Sequence, residues 1–425
     1  MIPRPVYLER LRNRMWNDSI KVITGLRRCG KSYLLKNIFH DYLVSSGVSE
    51  NNIIMFAFDS ALDLERIGED LVEIERDKRK VDYRKFIRYI GTLTSADEKY
   101  YLLLDEIQKL ESFEYVLNGY LATGKYDIYV TGSNSKFLSS DVITEFRGRG
   151  DEIHVLPLTF SEFYNFTGGD KTEKLDEYMT YGGLPRVVLA DSAESKMDYL
   201  STQLEKTFLR DVIERHGIKN TEELNELLDV IASGIASLTN PLKLENTFRS
   251  VKKVTLSADT ITKYIQYFRE SFILDKAIRY DIKGKNYIQT PFKLFFEDVG
   301  LRNARLDFRQ VETTHIMENV IYNELRFRGY MVDVGTIEIR EESRRKKLEV
   351  DFVANLGGKR FYIQSAYDID GDNKLQQETK SLDSIPDSFK KIVVVGKSIV
   401  PKRGEKGYLF ISLADFLLNP DSLNL

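Results

Sequence analysis

Residues 25–32 have the sequence GLRRCGKS, which matches the spacing of a phosphate-binding loop. Gly25 and Gly30 allow the chain to curl so that backbone N–H groups point inward at an anion. Lys31 would reach the β- and γ-phosphates of a nucleotide, and Ser32 would bind Mg²⁺. The same stretch supplies three further candidates for nucleotide contact: Arg28, Cys29 and Tyr33. The sequence therefore predicts a site for ATP and Mg²⁺.

Cys29 is the only cysteine of the chain, and its neighbours are cationic. Arg27, Arg28 and Lys31, together with the start of the following helix, favour a thiolate over a thiol. We therefore expect a thiol reagent to modify Cys29 and to inactivate the site. The alternative is that Cys29 fills a variable position of the loop and has no role.

A second set of charged residues follows the apolar run YYLLL at residues 100–104. The run predicts a buried strand, and Asp105 and Glu106 come directly after it. Asp105 would hold Mg²⁺, directly or through water, and Glu106 would polarise the attacking water. An acid next to the metal-binding aspartate is typical of a hydrolase. On its own, an apolar run ending in Asp-Glu is an ordinary strand end.

The next predicted strand, residues 127–131 (DIYVT), leads into a polar run that contains Asn134. A polar side chain at this point can hydrogen-bond the γ-phosphate or the attacking water, and Asn134 is the candidate. Arg147 and Arg149 precede another predicted strand, where an arginine can stabilise transition-state charge in a neighbouring subunit. The alternatives are a polar turn and a pair of solvated or salt-bridged arginines.

The elements that must position these residues alternate between two patterns. Residues 31–43 and 83–93 have helical spacing, and the apolar runs predict strands at residues 20–24, 53–58, 100–104, 127–131 and 153–156. Strands that alternate with helices predict a parallel sheet covered on both faces. The expected fold class is α/β.

Composition limits the class of protein further. Of the 425 residues, 42% are hydrophobic and 30% charged, which provides for a packed core and argues against a disordered chain. One cysteine excludes an internal disulfide, and four scattered histidines argue against a histidine metal site. No apolar run reaches the roughly 20 residues that span a bilayer, so we expect a cytoplasmic protein without membrane contact. The net charge of −3 leaves any case for nucleic acid to local patches.

Six stretches together resemble a known family: KVITGLRRCGKS, YLLLDEIQKL, YVTGSNSKFL, EFRGRG, LPLTFSEF and GGLPRVVL. They resemble the AAA+-type P-loop ATPases, and in particular the bacterial and archaeal group whose ATPase precedes a C-terminal DUF4143 region. This resemblance implies that the P-loop strand lies between the fourth and fifth strands. It also implies a homo-oligomer, such as a hexameric ring, in which Arg147 or Arg149 acts as the arginine finger. Pro185 would pack on adenine; the alternative is a turn before an apolar helix.

The middle of the chain has the pattern of a winged-helix domain. Residues 242–250 and 257–270 predict two helices around a turn, and residues 273–288 predict a hairpin. Between residues 241 and 290 there are ten Lys/Arg and five Asp/Glu, a local charge of +5. Such a patch suits phosphate contacts. The candidate DNA contacts are Lys252, Lys253, Thr260, Lys263, Lys283 and Lys285. The alternative is a winged helix used for protein packing.

The last part of the chain resembles the core of restriction endonucleases. Glu318 on a helix, Asp351 on a strand and Gln364 on the next strand follow the order of that metal site, in which two acids hold a divalent ion and a lysine assists water. Gln364 replaces the second acid and Ala366 replaces the lysine. The resemblance therefore predicts the fold with a degenerate site, and we expect no nuclease activity.

These patterns predict four segments. They are a P-loop ATPase core at 1–160, a helical lid at 161–226, a winged-helix domain at 227–305 and a small restriction-endonuclease-like α/β domain at 306–425. The expected function is Mg²⁺-dependent ATP hydrolysis coupled to binding and remodelling or translocation of DNA. Two other classes stay open: a nucleotide-dependent signalling switch or scaffold, and an ATP-driven nuclease.

Overall fold

The computed structural model describes residues 2–132, 146, 148–252, 256–309, 312–341 and 344–425. The chain divides into two compact units. The first comprises Met1–Val155 and Glu270–Phe272, and the second comprises Leu156–Arg269 and Ile273–Leu425. The predicted segments 161–226, 227–305 and 306–425 all fall almost entirely within the second unit.

The first unit contains a five-stranded sheet formed by β1 (Ile20–Thr24), β2 (Ile53–Ala57), β3 (Tyr100–Asp105), β4 (Tyr126–Thr131) and β5 (Gly150–His154). The strand order is β2-β3-β4-β1-β5, and every neighbouring pair is parallel. The P-loop strand β1 lies between β4 and β5, which confirms the implied order. Because parallel strands end at the same edge, the segments that follow β1, β3 and β4 share one edge of the sheet.

Strands β1 and β3 are buried along their whole length, as expected for a parallel sheet covered on both faces. One charged pair lies within this apolar layer. The Lys21 ammonium binds the Asp127 carboxylate, and the two side chains are 1% and 2% exposed. Burial lowers the pKa of Lys21, and the charge of Asp127 acts against this lowering. The Tyr129 hydroxyl also donates to Asp127, at 3.1 Å, so the carboxylate has several donors.

Helices of the first unit connect these strands. Lys31–Tyr33, Leu34–Phe39 and His40–Ser45 form one continuous helical segment whose middle part is π-helical. The predicted helix at 83–93 is confirmed as Tyr83–Leu93, and the Asp82 side chain caps it. The other helices and helical turns are Pro5–Arg12, Glu50–Asn52, Ala61–Arg66, Leu71–Arg76, Ile107–Lys109 and Phe113–Ala122.

The second unit begins with a mainly helical part. Its helices up to residue 270 are Phe160–Thr167, Lys171–Tyr181, Pro185–Val188, Ala193–Gln203, Leu204–Leu209, Arg210–His216, Thr221–Ser233, Pro241–Thr247, Phe248–Lys252 and Ala258–Glu270. Those that follow are Val299–Arg305, Thr313–Phe327, Asp372–Asp383, Leu413–Leu418 and Ser422–Asn424. None of the helices in the described ranges combines the length and the apolar character that crossing a bilayer requires.

An eight-stranded mixed sheet forms the rest of the second unit. Its strands are β6 (Leu274–Asp281), β7 (Asn286–Phe296), β8 (Met331–Glu341), β9 (Arg344–Leu356), β10 (Lys359–Ala366), β11 (Lys390–Val395), β12 (Lys402–Arg403) and β13 (Leu409–Ser412). The strand order is β12-β13-β11-β10-β9-β8-β6-β7. The six strands that follow residue 330 thus belong to the same sheet as β6 and β7.

The hairpin that was expected to be the wing of a winged helix is instead part of the eight-stranded sheet. It exists as β6 and β7, but β6 also pairs in parallel with β8, with Arg279 opposite Val334. The predicted boundary between residues 305 and 306 therefore runs between strands of one sheet. The sequence pattern revealed the local hairpin, whereas the parallel pairing joins residues more than 50 positions apart.

Two adjacent glycines, Gly182 and Gly183, allow a close approach within the second unit. A Cβ on Gly183 would lie 2.1 Å from the Leu158 carbonyl oxygen, and a Cβ on Gly182 would lie 2.2 Å from the Asp298 carboxylate. The buried Asp298 accepts the Gly183 N–H at 2.8 Å. Burial raises the pKa of Asp298 to about 6, although backbone N–H groups act against the rise.

We expect Gly183→Ala to destabilise the protein by about 1–3 kcal/mol, the usual cost of overpacking, because backbone atoms must move to admit the methyl group. Gly119→Ala is the matched control. Gly119 lies inside Phe113–Ala122 with open space around it, so alanine should raise stability by about 0.5–1 kcal/mol. Urea unfolding midpoints measure both changes, and equal effects would contradict the close approach at Gly183.

Candidate functional site

The loop after β1 has the conformation that its glycines allow. Gly25 has a φ of 135° and Gly30 a φ of 106°, and Arg28 between them also has a positive φ of 65°. A Cβ on Gly25 would lie 2.1 Å from the Val155 carbonyl oxygen, so no other residue fits there. The helical segment that begins at Lys31 follows the loop directly. Strand, loop and helix thus stand in the order that a P-loop requires.

The Lys31 side chain lies back along this loop. It is buried, and its ammonium donates to the carbonyl oxygens of Gly25 and Leu26, each at 2.9 Å. These contacts hold the positive charge inside the curl of the loop, where an anion would meet it.

Asp105, the last residue of β3, has three donors from two elements, the helical segment after the P-loop and β4. Ser32 Oγ donates to Oδ1 at 2.9 Å, and the hydroxyl of Thr131, at the end of β4, donates to the same oxygen. The Lys36 ammonium lies 2.6 Å from Oδ2. The parallel sheet explains this arrangement, since the ends of β1, β3 and β4 meet at one edge.

Ser32 and Asp105 fit a magnesium ion. Mg²⁺ prefers oxygen ligands at about 2.0–2.1 Å in an octahedron, in which adjacent ligands are about 2.9 Å apart. Ser32 Oγ and Asp105 Oδ1 are at that separation, 2.9 Å. Both are hard oxygen donors, as this ion requires.

Glu106 lies next to this pair in an uncommon backbone conformation. Its φ is 54°, in the left-handed region that non-glycine residues enter mostly at turns and functional sites. Its backbone N–H donates to Thr131 Oγ1 at 3.1 Å, and its carboxylate accepts from the Gln108 amide. Thr131 therefore contacts both acids of the pair, and it sets their relative position.

The structure corrects the expectation for Cys29. The side chain is fully buried, and its thiol donates to the Val155 carbonyl oxygen at 3.1 Å. A buried thiol in a hydrogen bond is poorly accessible to reagents, so the predicted labelling of Cys29 is not expected from this structure. Arg28 and Tyr33, by contrast, have exposed side chains.

Arg149 lies at the edge of the sheet where the strands begin, whereas the P-loop lies at the edge where they end. The Ile20 N–H donates to the Arg149 carbonyl oxygen at 2.8 Å, which places Arg149 beside the first residue of β1. The P-loop follows the last residue of this five-residue strand, about 13 Å further along. The exposed Arg149 side chain is thus far from the phosphate-binding loop of its own chain. Asn134 and Arg147 lie outside the described residues.

Two residues of this candidate site were not predicted from the sequence. Thr131 is the last residue of the predicted strand 127–131, but Asn134, further along the chain, was chosen as the functional residue. Lys36 is four residues after Ser32, a spacing that places both on one helix face, and this signal could have identified it.

The candidate DNA contacts lie in the second unit on three elements. On the helix Ala258–Glu270, Lys263 is exposed and Thr260 is half-buried, and Ser257 caps this helix through a hydrogen bond from the Thr260 N–H. Lys283, in the turn between β6 and β7, donates to the Glu338 carbonyl oxygen at 2.8 Å, and Lys285 is exposed in the same turn. The Lys252 side chain and all of Lys253 lie outside the described part.

Two of the three residues predicted as a degenerate nuclease site, Glu318 and Asp351, lie beside a buried lysine. The Lys293 ammonium, from β7, lies 2.7 Å from Glu318, 2.7 Å from Glu349 and 3.7 Å from Asp351, and its side chain is 2% exposed. Gln364 accepts from the Ser381 hydroxyl at 3.2 Å, and Asp351 accepts the Ser365 N–H at 2.8 Å. Lys293 and Glu349 were not predicted. Lys293 lies 25 residues before Glu318, on a strand assigned to another domain.

The charged groups in this cluster shift one another's pKa values. Burial raises the pKa of Asp351 to about 8, with Glu318 adding to the rise and Lys293 opposing it. Burial alone would lower the pKa of Lys293, but the three carboxylates raise it above its ordinary value. Within the described ranges, no group of three or more His, Cys, Asp or Glu residues is arranged to hold a metal ion. The lysine supplies the positive charge that the carboxylates require.

Comparison with known proteins defines the family. Residues 17–164 match the family model described as an AAA domain. A protein of uncharacterised function from Haemophilus influenzae (strain ATCC 51907 / DSM 11121 / KW20 / Rd) is 35% identical over 402 residues, which cover 93% of this chain and 94% of that protein. The chain belongs to this family of AAA-domain proteins. A further relative, the uncharacterised protein MJ1544 of Methanocaldococcus jannaschii, is 28% identical over 86% of this chain and 78% of its own length.

The rest of the AAA-domain protein matches a different model from the expected one. Residues 172–312 match a domain of unknown function, DUF8612, where the sequence analysis expected a DUF4143 region. This match ends within the second unit, after β7 and before β8.

Solved structures with related folds are only distantly similar. Cdc6p from Pyrobaculum aerophilum is 14% identical, with 75% of this chain and 97% of that chain covered and a TM-score of 0.31. The Aeropyrum pernix ORC1 protein, solved in complex with DNA, is 10% identical, with coverages of 72% and 93% and a TM-score of 0.30. Scores this far below 0.5 support no conclusion about activity or partners.

Replacing Lys293 by methionine should destabilise the protein by about 3–5 kcal/mol at neutral pH, since Glu318, Asp351 and the partly exposed Glu349 lose their counter-charge. The loss should be smaller near pH 5 than near pH 8. Carboxyl pKa values that are raised in the folded state reduce stability as pH rises from the unfolded value of about 4 toward the folded value. Urea unfolding at several pH values measures this.

Lys359→Met, at an exposed position of β10, is the control and should change stability by less than about 0.5 kcal/mol. A large loss for Lys293→Met that does not vary with pH would point to lost packing volume instead of lost charge.

Proposed function

We propose that this protein is a Mg²⁺-dependent ATPase whose hydrolysis cycle is coupled to binding and remodelling or translocation of DNA. The observation that carries the ATPase part is the meeting of Ser32, Asp105 and Thr131 at one edge of the sheet, next to the P-loop and Glu106. The AAA-domain match over residues 17–164 supports the same activity.

In this proposal, the loop residues bind the nucleotide. Backbone N–H groups between Gly25 and Gly30 bind phosphate, and Lys31 turns from the loop carbonyls to the β- and γ-phosphates. Ser32 and Asp105 hold Mg²⁺, which neutralises charge on the phosphates when bound. Lys36 must then share or release the Asp105 carboxylate, because its ammonium lies 2.6 Å from Oδ2.

Glu106 acts as the general base. It is adjacent to the metal-binding residue, and its carboxylate can accept a proton from the attacking water. Thr131 holds the Glu106 backbone through its N–H and binds Asp105 at the same time. Thr131 is thus a positioning residue for both acids.

Arg149 completes the site of a neighbouring subunit. It is exposed and lies at the edge of the sheet opposite its own P-loop, so it suits action between chains and not within one. An arginine that reaches the γ-phosphate of a neighbour stabilises charge in the transition state. This role requires a homo-oligomer, and a hexameric ring is the arrangement that the AAA+ resemblance implies.

DNA is proposed as the partner because residues 241–290 carry ten Lys/Arg against five Asp/Glu. Among the described members of this set, Lys263 and Lys285 have exposed side chains. Phosphate contacts of this kind provide binding that depends strongly on salt. A nuclease is not proposed, since Lys293 occupies the centre of the acidic cluster and the buried Ala366 offers no ammonium.

Glu106→Gln should bind Mg·ATP as the wild type does but hydrolyse it about 10²–10⁴-fold more slowly, because the metal site remains and the base is lost. Lys31→Ala should lose ATP binding. Nucleotide binding by fluorescence and phosphate release, with and without duplex and forked DNA, measure both steps. The proposed coupling requires DNA to raise wild-type turnover.

Glu111→Gln is the matched control, because it makes the same change at an exposed carboxylate. Its turnover should equal that of the wild type. Equal loss of ATP binding in Glu106→Gln and Lys31→Ala would contradict the separate roles of the two residues.

Arg149→Ala protein should be inactive alone but regain turnover when mixed with Lys31→Ala protein, since each chain supplies the group that the other lacks. Phosphate release across a range of mixing ratios measures the recovery. Arg88→Ala, an exposed arginine of the same unit, is the control and should be active alone. No recovery in a verified oligomer that exchanges subunits would argue against action between chains.

A further inference from the structure

A cavity of about 320 Å³ lies in the second unit between three elements. The helix Ala258–Glu270 forms one wall, β6 and β7 form another through Lys276 and Phe292, and Pro241 closes one side. Its volume is at the small end of the range of about 300–1,000 Å³ found for ligand pockets. It suits a single nucleotide-sized ligand.

Three cations line this cavity, and none of its lining residues is an acid. They are Lys263, Arg269 and Lys276. The ammonium of Lys276 lies 4.7 Å from the centre of the Phe292 ring, and the Arg269 guanidinium donates to the Gln266 amide at 3.2 Å. Within the described part of the chain, no carboxylate lies within ion-pair distance of these three cations.

The acid next to Lys276 in the chain serves other partners. Asp275 precedes Lys276 on β6, accepts the Tyr322 hydroxyl at 2.7 Å and lies 3.3 Å from Arg326. It also attracts Arg269 at longer range. Successive residues of a strand face opposite sides, so the Asp275 carboxylate does not share the cavity face with Lys276.

Two of the cations, Arg269 and Lys276, repel each other across the cavity. Burial lowers the pKa of Lys276, and the charge of Arg269 lowers it further. In addition, Arg269 Nε is shielded from solvent and has no hydrogen-bond partner among the described residues. A bound anion would relieve the repulsion and accept from this donor.

The remaining walls are mainly apolar or aromatic, with Thr262 and Gln266 as the polar members. Pro241, Ile265, Tyr267 and Phe292 contribute most of this surface. A small inorganic anion would leave that surface uncovered, whereas a nucleotide offers both a phosphate for the cations and a base for the apolar walls. Charge and shape together therefore favour a nucleotide over a purely ionic ligand.

We propose that this cavity holds one phosphorylated nucleotide of a DNA strand, with Lys263, Arg269 and Lys276 around its phosphate. The inference rests on the DNA binding proposed above, and it adds Arg269 and Lys276 to the candidate contacts. A free nucleotide shares the same chemistry, so the experiment must separate the two sources.

The test uses the full-length protein and a fluorescein-labelled, 5′-phosphorylated thymidine oligonucleotide, with binding followed by anisotropy. The triple variant Lys263→Gln, Arg269→Gln, Lys276→Gln should bind at least tenfold more weakly than the wild type. The control triple, Lys219→Gln, Lys359→Gln, Lys402→Gln, changes the net charge equally at exposed positions and should lose less than threefold.

The single variant Lys263→Gln is a control for misfolding. Because Lys263 is exposed, this substitution should leave the fold intact. It should show an intermediate loss with an unchanged melting temperature. Thymidine monophosphate should compete for the cavity more weakly than the oligonucleotide. Tighter binding of the free nucleotide than of the strand would overturn the DNA assignment.

Three other results would overturn the inference: equal losses in both triples, no oligonucleotide binding by the wild type, or cavity-dependent binding of an acidic peptide in place of DNA. ATP turnover measured on the same samples separates this test from the proposed ATPase. ATP turnover without oligonucleotide binding would contradict only the proposed nucleotide site in the cavity. Cavity-dependent oligonucleotide binding without ATP turnover would contradict only the proposed ATPase activity.

Discussion

The contacts of Asp105 are the constraint on which the AAA domain depends. One carboxylate accepts hydroxyl hydrogen bonds from the helical segment after the P-loop and from the end of β4, and it also pairs with Lys36. These contacts are possible only because β1, β3 and β4 are parallel and end at the same edge. The chemistry proposed for this edge and the topology of the sheet are therefore two aspects of one arrangement.

Buried charged side chains are paired in two different ways in this protein. In the first unit, Lys21 and Asp127 form a pair within an apolar sheet, and additional donors reach the carboxylate. In the second unit, one lysine serves three carboxylates, which leaves an excess of negative charge. Burial, together with the charge of Glu318, raises the pKa of Asp351 to about 8. The first arrangement is balanced and joins two strands, whereas the second remains sensitive to protonation.

Much of the first unit could be predicted from the sequence because its signals are local. The spacing of Gly25, Gly30, Lys31 and Ser32 and the apolar run before Asp105 each lie within a few residues, and the structure places them as expected. The contact of Lys293 with Glu318 and Glu349 could not be predicted in this way. It depends on strand pairings between distant residues, such as Arg279 with Val334, that no local pattern reveals.

The pairing of β6 with β8 has a practical meaning for work on parts of this chain. A fragment that begins near residue 306 would lack β6 and β7, and the edge of β8 would then carry unpaired N–H and C=O groups. Exposed strand edges recruit other strands, so such a fragment would tend to aggregate. It would also lose Lys293 and leave Glu318, Glu349 and Asp351 without the cation that they share. The hairpin is thus an inseparable part of the sheet, and dissection of the protein should keep residues 274–296 with the strands that follow.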